Sequence, residues 1–431
     1  MDLAAAAPAA AVHKSELLLF FTLLELTVIV IAGRVGAALA KRIGQSAVVG
    51  EILMGIALGP SLLGLIAPQA FEYVFRSATP EPLQVLAGLG LVLLMFQIGL
   101  DFDFSHLSER SNRALVVRVS AACLVLPFAI GLVFGYYAAP ALSPQANRLD
   151  SALFVATAFS ITALPVLGRI LLDLRMTRTR LAVIAISAAA VNDVAGWLLL
   201  ALVTALTVAT FDGAHYGLRI LLIAAYVFLC IVGLRPLLKT IVRRSNPTEG
   251  RMSGNLLGIL LVVVFLSAMA TYKLGIFAVF GAFLIGVILF DEPELVRAWQ
   301  ERLGQFVTVF FMPIFFTYTG LRTSIGSLST RSAWGWCALT IALATLGKFG
   351  GAYVGARRSH LDHTQATLLA FMMNTRGLME LVVINVGLDL GVISQQMFTI
   401  LVLMAIVSTV ITTPALRFYL PRAGIAVSAR R

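Results

Sequence analysis

Residues 47–58 read AVVGEILMGIAL, and residues 278–289 read AVFGAFLIGVIL. When the two stretches are aligned without a gap, Ala, Val, Gly, Leu, Gly and Leu coincide at a constant offset. Both stretches are apolar, and their one charged residue is Glu51. Small residues and leucines are common in membrane helices, so each coincidence alone is weak and the matches are informative only together. The match predicts two related halves of a membrane-embedded helical protein.

The rest of the chain has a similar composition. Hydrophobic residues make up 59% of it and charged residues 12%, with a mean hydropathy of +0.95. A soluble domain carries roughly 25% charged residues. Apolar segments of about 17–25 residues recur, which is the length that crosses a hydrocarbon core of ~30 Å as a helix. No segment shows the alternation typical of a membrane barrel.

These patterns predict an all-α polytopic membrane protein with about 13 transmembrane helices. The expected segments are residues 16–33, 46–67, 83–100, 114–139, 151–172, 181–210, 217–242, 255–272, 275–290, 303–322, 333–356, 364–388 and 396–417.

The formal net charge of +11 is spread over the short connections between these segments. Because cytoplasmic loops of membrane proteins carry an excess of Lys and Arg, this distribution indicates topology and argues against nucleic-acid binding. We expect the amino terminus outside and the carboxyl terminus inside, on the cytoplasmic side of the membrane. The three cysteines lie far apart within apolar segments, and we expect them to be buried packing residues.

A second match also relates the two halves. A Gly-Leu pair ends the third and the tenth segment, and another leucine follows seven residues later (Gly99-Leu100 with Leu107, and Gly320-Leu321 with Leu328). We therefore expect two repeats of six helices, at residues 16–210 and 255–417, joined by a linker helix at 217–242. The charge distribution gives the repeats opposite directions, as in many secondary transporters. Residues 1–431 are expected to form one transmembrane domain without a soluble regulatory domain.

The most unusual polar residues are Asn192 and Asp193, in the stretch SAAAVNDVAGW. Asp193 follows Arg180 by thirteen residues, or roughly 20 Å at 1.5 Å per residue, which is close to mid-membrane. An ionisable group at that depth costs at least ~2.5–3.5 kcal/mol and is a functional candidate by default. A buried carboxylate can hold a proton or, after losing it, a small cation. The alternative is an interhelical hydrogen-bond clamp, which more often uses Asn, Ser or Thr alone.

Lys348, in LATLGKFGGAY, is a second charge near mid-membrane. It lies nine residues before Arg357, about 14 Å from the cytoplasmic end of its segment. A buried ammonium group needs a partner. Asp193 is the expected partner and Glu380 the second choice, while a lysine that snorkels to the interface is the alternative.

Two segments in corresponding positions of the halves contain polar residues and helix breakers. The first, ATAFSITALP, contains Thr157, Ser160, Thr162 and Pro165, and the second, MMNTRGLMEL, contains Asn374, Thr375, Arg376, Gly377 and Glu380. Paired interrupted helices indicate an ion site in transporters. Arg376 and Glu380 are spaced to neutralise each other or the opposing helix ends, which is a structural role. Glu51 is interpreted as an entrance or structural residue near the cytoplasmic side.

On these residues the chain resembles the monovalent cation:proton antiporter-2 family, which includes Kef-type potassium/proton antiporters and plant cation/proton exchangers. The matching stretches are VVGEILMGIALGPSLLG, AAAVNDVAGW, GIFAVFGAFLIGVIL, FFTYTGLRTSIG and MNTRGLMELVVINVGL. The resemblance implies discontinuous crossing helices in a core bundle beside a dimerisation bundle, and therefore a homodimer. It implies that Asp193 carries the cation and the proton, with Lys348 as its basic partner. The chain departs from some relatives in having Asn192 before Asp193 where they have two aspartates, and we expect no nucleotide-binding domain.

The sequence thus predicts a secondary active K⁺ or Na⁺/proton antiporter, which is not an enzyme and needs no cofactor beyond the transported ions. The expected ion and proton ligands are Asp193, Asn192, Ser160 and Thr162, with Na⁺ or K⁺ on Asp193. The expected supporting residues are Lys348, Glu380, Arg376, Asn374, Thr157 and Glu51. One carboxylate predicts electroneutral exchange. The alternative is a gated cation channel, although no filter-like repeat is present.

Overall fold

The computed structural model describes residues 3–75, 81–101, 110–174, 176, 179–208, 213–245, 252–275 and 278–423. These residues form helices and short connections, and no strand occurs among them. The helices are α1 (Leu3–Arg42), α2 (Ala47–Leu58), α3 (Leu63–Ile66), α4 (Pro68–Val74), α5 (Glu81–Asp101), α6 (Arg110–Leu142), α7 (Arg148–Ser160), α8 (Leu164–Asp173), α9 (Arg180–Val208), α10 (Gly213–Leu229), α11 (Arg235–Ser245), α12 (Gly254–Lys273), α13 (Ala278–Ile288), α14 (Pro293–Trp299), α15 (Met312–Arg322), α16 (Arg331–Arg357), α17 (His363–Met373), α18 (Leu378–Asp389) and α19 (Gln395–Tyr419). The all-helical fold class is confirmed.

Many of these helices are long and apolar enough to cross a membrane. Nine of those in the described ranges meet that length and composition, or ten if one bent pair is a single span. The predicted segments 151–172 and 364–388 are interrupted, as α7–α8 and α17–α18, and α13 is a short apolar helix. The count of about thirteen transmembrane helices therefore stays a prediction. All three cysteines are buried, as expected.

Several element bounds differ from the predicted segments. Helix α1 begins at Leu3 and not near residue 16, because its alanine-rich start favours a helix without being strongly apolar. The segment 46–67 is not one straight helix, since α2 ends at Leu58, directly before Gly59 and Pro60. Proline disfavours the helical conformation of the residue before it, so the helix ends there. The linker segment 217–242 contains a π-helical turn at Cys230–Leu234 between α10 and α11.

One group of helices, α1, α2, α5, α12, α13 and α15, packs through glycines and is called here the glycine-crossed bundle. Helix α2 crosses α15 where Gly55 meets Gly320: a Cβ on Gly320 would lie 2.1 Å from the Gly55 carbonyl oxygen. Helix α13 crosses α5 where Gly286 meets Gly99: a Cβ on Gly286 would lie 2.2 Å from the Phe96 carbonyl oxygen. Backbones approach this closely only where side chains are absent. The glycines singled out in the sequence match are therefore the contact points of two helix crossings.

The second group, α6–α9 with α16–α19, is called here the broken-helix bundle. Helices α6 and α16 pack along each other at its centre, α7 packs on α6, and α17 packs on α16. Helix α9 contacts both α7 and α17. The two bundles meet through α2 and α19 and through side-chain contacts between α15 and α18. All but one of the predicted site residues lie in the broken-helix bundle, and Glu51 lies in α2.

Candidate functional site

Two interrupted helices cross at the centre of the broken-helix bundle. Helix α7 ends at Ser160 and α8 starts at Leu164, with Ile161 in extended conformation between them. Helix α17 ends at Met373 and α18 starts at Leu378, after Gly377 with a φ of 154°, which favours glycine. The side chain of Pro165, to which the first break was attributed, lies outside the described residues. Both predicted interruptions are present.

The two breaks are joined by their backbones. The N–H of Ala163 donates to the carbonyl oxygen of Thr375 at 3.0 Å. The Thr162 hydroxyl donates to the carbonyl oxygen of Met373 at 3.3 Å and accepts from the Asn192 amide at 3.5 Å. These contacts bring α9 to the crossing point, so three separate parts of the chain form one polar site.

Asp193 is the buried acid of this site. Its side chain is enclosed, with the residue 1% exposed, and neither carboxylate oxygen has a hydrogen-bond partner in the described part of the chain. The N–H of Leu164, at the start of α8, lies nearby without hydrogen-bond geometry and places the positive end of that helix beside the carboxylate. The amide oxygen of Asn192 is also buried, and no described residue donates a hydrogen bond to it. Unsatisfied oxygens at this depth are costly, and in this arrangement they are free to accept a ligand.

Lys348 does not form the predicted ion pair with Asp193. Its ammonium group is fully buried and donates to the carbonyl oxygens of Cys123, at 3.1 Å, and of Ser160. Among the described residues, no ion pair within 4.0 Å joins Lys348 to Asp193, although the two charges are close enough to interact electrostatically. The physical reason is that α7 stops at Ser160, so its last carbonyl groups lack helical donors and carry the negative end of the helix dipole. The snorkelling alternative is wrong, because the ammonium group stays buried.

Arg376 occupies the same end of α7. Its guanidinium group donates to the carbonyl oxygens of Ala158 at 2.8 Å and Phe159 at 3.0 Å, and to that of Ala344 at 3.2 Å. It also forms a buried ion pair of 2.9 Å with Glu380. Both structural roles considered for Arg376 are therefore present at once: it neutralises Glu380 and the opposing helix end.

The remaining predicted residues are less central. The hydroxyls of Thr157 and Ser160 donate to carbonyl oxygens one turn earlier in α7, at 2.8 and 2.7 Å. Asn374 is fully buried at the end of α17, and both polar atoms of its side chain are unpartnered within the described ranges. Glu51 is buried in α2, in the glycine-crossed bundle and not at the crossing.

The sequence analysis missed Thr409, which fixes the backbone of the second break. Its hydroxyl accepts from the N–H of Arg376 at 3.1 Å and donates to the carbonyl oxygen of Arg376 at 2.6 Å. A signal was available in α19, where Ser408, Thr409, Thr412 and Thr413 interrupt an apolar helix. Hydroxyl groups on one membrane helix often bond to another helix, so this cluster indicates a contact site.

Comparisons with known proteins show which family and fold the chain resembles. Residues 26–421 match the family described as sodium/hydrogen exchanger, transmembrane. The chain is 38% identical over 400 residues to the Na(+)/H(+) antiporter NhaS4 of Synechocystis sp., covering 92% of this chain and 96% of that one. It is 36% identical over 397 residues to Cation/H(+) antiporter 17 of Arabidopsis thaliana, covering 91% of this chain and 47% of that longer protein. The fold is similar to the sodium proton antiporter MjNhaP1 of Methanocaldococcus jannaschii, with a TM-score of 0.64, 16% identity, and coverage of 93% of this chain and 95% of that one.

Proposed function

Because the chain belongs to the transmembrane sodium/hydrogen exchanger family, we propose that it exchanges a monovalent cation, Na⁺ or K⁺, for a proton, with both ions bound in turn by Asp193. The observation that carries the proposal is the Asp193 carboxylate, which is buried at a helix crossing and whose two oxygens have no hydrogen-bond partner among the described residues. A carboxylate in that setting is stable only when a proton or a cation neutralises it.

The oxygens around Asp193 suit a small cation. The Asn192 amide oxygen is unpartnered, and the Thr162 hydroxyl oxygen lies next to the Asn192 side chain. Hard cations bind such oxygen ligands. Ser160, a further expected ligand, contributes through its hydroxyl only, because its carbonyl oxygen already accepts from Lys348. When the carboxylate takes up a proton, the cation loses its charged ligand and leaves.

Lys348 and Arg376 are proposed as fixed positive charges. Both donate to carbonyl groups at the end of α7, so each is held in place by backbone atoms and not by the transported ion. With these charges constant, Asp193 is the one group that changes its charge during the cycle. One carboxylate exchanging one proton for one monovalent cation makes the cycle electroneutral.

The helix packing supports alternating access between two inverted repeats, residues 16–210 and 255–417, joined by the linker at 217–242. Helix α2 packs on α15, and its sequence counterpart α13 packs on α5, the counterpart of α15. A two-fold relation between the repeats requires such reciprocal contacts. In this proposal about thirteen helices span the membrane, and the broken-helix bundle moves against a glycine-crossed bundle that also forms a homodimer.

We propose that the amino terminus lies outside and the carboxyl terminus inside, which the excess of Lys and Arg in the connections on one side supports. We further propose that the membrane is a bacterial inner membrane. The names of the relatives refer to Na⁺/H⁺ and to cation/H⁺ exchange, which supports a monovalent cation and does not favour Na⁺ over K⁺. A gated cation channel is the second candidate. It is disfavoured because a site built on one dry, buried carboxylate does not provide the hydrated pore that conduction needs.

The test uses purified protein in sealed proteoliposomes that contain a pH-sensitive dye. Adding Na⁺ or K⁺ outside is expected to drive protons the other way in the wild type, and Asp193→Asn is expected to abolish this flux. Glu294→Gln is the matched control, because Glu294 is an exposed acid in a surface pair with Arg297. Wild-type flux in Asp193→Asn would show that another group carries the ions. Cation movement without proton movement would support the channel.

A further inference from the structure

A polar cluster around Arg322 ties the two bundles together at one end of their interface. Arg322 is the last residue of α15, and Asp389 is the last residue of α18. The guanidinium group donates to the Asp389 carboxylate at 2.5 Å and to the Asn385 amide oxygen at 3.3 Å. The Asn385 amide in turn donates to the Thr319 hydroxyl at 3.0 Å. Three side-chain contacts thus join the glycine-crossed bundle to the broken-helix bundle.

The chain after Arg322 adds contacts to α19. Gln395, at the start of α19, donates to the carbonyl oxygen of Arg322. The Thr399 hydroxyl lies 3.3 Å from the carbonyl oxygen of Ser324 and 3.4 Å from the Ser327 hydroxyl. The guanidinium of Arg322 also lies over the Phe398 ring, 5.9 Å from its centre. The end of α18 and the start of α19 are therefore both held by residues 322–327.

The opposite end of the interface is connected differently. There Gln45, between α1 and α2, donates to the carbonyl oxygen of Val410 in α19 at 3.0 Å. That carbonyl is free because Pro414, four residues later, has no N–H to donate. At the Arg322 end, by contrast, an ion pair between Arg322 and Asp389 joins the two bundles. With the proposed orientation, this pair is on the external side.

We propose that Arg322, with Asp389 and Asn385, forms an external latch, which closes the path from Asp193 to the outside and must open when the broken-helix bundle turns outwards. The inference rests on the proposed alternating-access function. Arg322 is mostly enclosed, with its side chain 11% exposed, whereas Asp389 is 49% exposed and faces water. The pair can therefore separate without stranding a buried carboxylate, because Asp389 stays solvated when Arg322 leaves it. A pair that is buried on both sides, such as Arg376 with Glu380, cannot separate at low energy.

The test measures accessibility from outside and does not depend on transport. Thr319 lies one turn inward of Arg322 and is buried, so Thr319→Cys places a thiol behind the latch. The natural cysteines are buried, which keeps the background low. A membrane-impermeant maleimide is added to right-side-out vesicles, and the labelling rate is compared in the Thr319→Cys parent and in further variants. Asp389→Asn removes the ion pair. We expect the labelling rate to rise roughly twofold to fivefold, which corresponds to the small free energy that a partly exposed ion pair contributes.

Three further variants make the result specific. Arg322→Gln also removes the bond to Asn385, and we expect an acceleration of about tenfold. Asp389→Glu keeps the charge and is expected to label at nearly the parent rate. Glu292→Gln breaks the pair of Arg243 with Glu292, which lies outside the interface between the bundles, and is expected to change nothing.

Unchanged external labelling in Asp389→Asn would overturn the latch, and so would an equal acceleration in Asp389→Glu. If Arg322→Gln does not reach the membrane, the Asp389 variants decide alone, because that side chain is half exposed. The outcome is separable from the proposed function. If the wild type shows no cation-driven proton flux while the labelling changes as expected, the exchange proposal fails and the closure by Arg322 stands.

Discussion

Arg376 and Glu380 are expected to act as one energetic unit. Both side chains are essentially unexposed, so solvent cannot take the place of either partner in their ion pair of 2.9 Å. In Arg376→Met, the Glu380 carboxylate loses its partner, and the carbonyl groups of Ala158 and Phe159 lose their donor. Breaking a buried pair on one side costs about 3–5 kcal/mol. In Glu380→Gln, the amide oxygen can still accept from Arg376, so we expect a smaller loss of about 1–3 kcal/mol.

The assay is a double-mutant cycle, with free energies of unfolding measured in mixed detergent micelles. The double variant Arg376→Met/Glu380→Gln leaves no unpaired charge, so its loss should be smaller than the sum of the single losses by about 1–3 kcal/mol. The exposed pair of Arg297 with Glu294, at 3.3 Å, is the matched control, and its coupling should stay below about 1 kcal/mol. Additivity at Arg376 and Glu380 to within about 0.5 kcal/mol would refute the reasoning.

Three more predictions concern the surrounding structure and the transport cycle. Lys348→Ala should move the activity optimum to higher pH, because Asp193 releases its proton less readily with one positive charge fewer nearby. The same variant should be less stable. An unchanged pH profile together with an unchanged melting temperature would contradict this prediction. Gly286→Ala should destabilise the protein by about 1–3 kcal/mol, because the added methyl group overpacks the α13–α5 crossing. Gly88→Ala should be nearly neutral, because the Cβ position of Gly88 faces open space. The melting temperatures of the two variants test this difference. Exchange should be insensitive to an imposed K⁺ diffusion potential during Na⁺/H⁺ exchange, if Na⁺ is accepted; a steep voltage dependence would point to Lys348 as a second titrating group.

Much of the site could be predicted from the sequence because its signals are local. Gly377 in a polar stretch indicates a helix break, and an acid in the middle of an apolar segment indicates a buried carboxylate. The glycine matches between the halves predicted two related halves, and the structure adds that the matched glycines lie at two helix crossings. The breaks and the burial of Asp193 follow directly from the sequence patterns.

The partners of the buried cations could not be predicted in the same way. Lys348 and Arg376 donate mainly to backbone carbonyl groups, which every residue has. Pro127, four residues after Cys123, marks one of these carbonyl groups as free, but the carbonyl groups at the end of α7 carry no such mark. Which carbonyl groups are free depends on where α7 ends in three dimensions. A carboxylate was the expected partner of Lys348 because charges are visible in a sequence, whereas the free carbonyl groups at the end of α7 are not. The hydroxyl cluster around Thr409 does indicate a contact, but nothing in the sequence identifies its partner, the backbone of Arg376.

The central claim is that one carboxylate, Asp193, binds either a proton or a cation. Calorimetric titration of the purified protein with Na⁺ or K⁺, in buffers with different ionisation enthalpies, measures how many protons are released for each cation bound. The account predicts that this number rises towards about one as the pH falls through the range in which exchange runs, because linkage requires the bound cation to displace the proton. It also predicts that Asp193→Asn binds no cation at this site. Cation binding without proton release throughout that range, or undiminished binding in Asp193→Asn, would contradict the account.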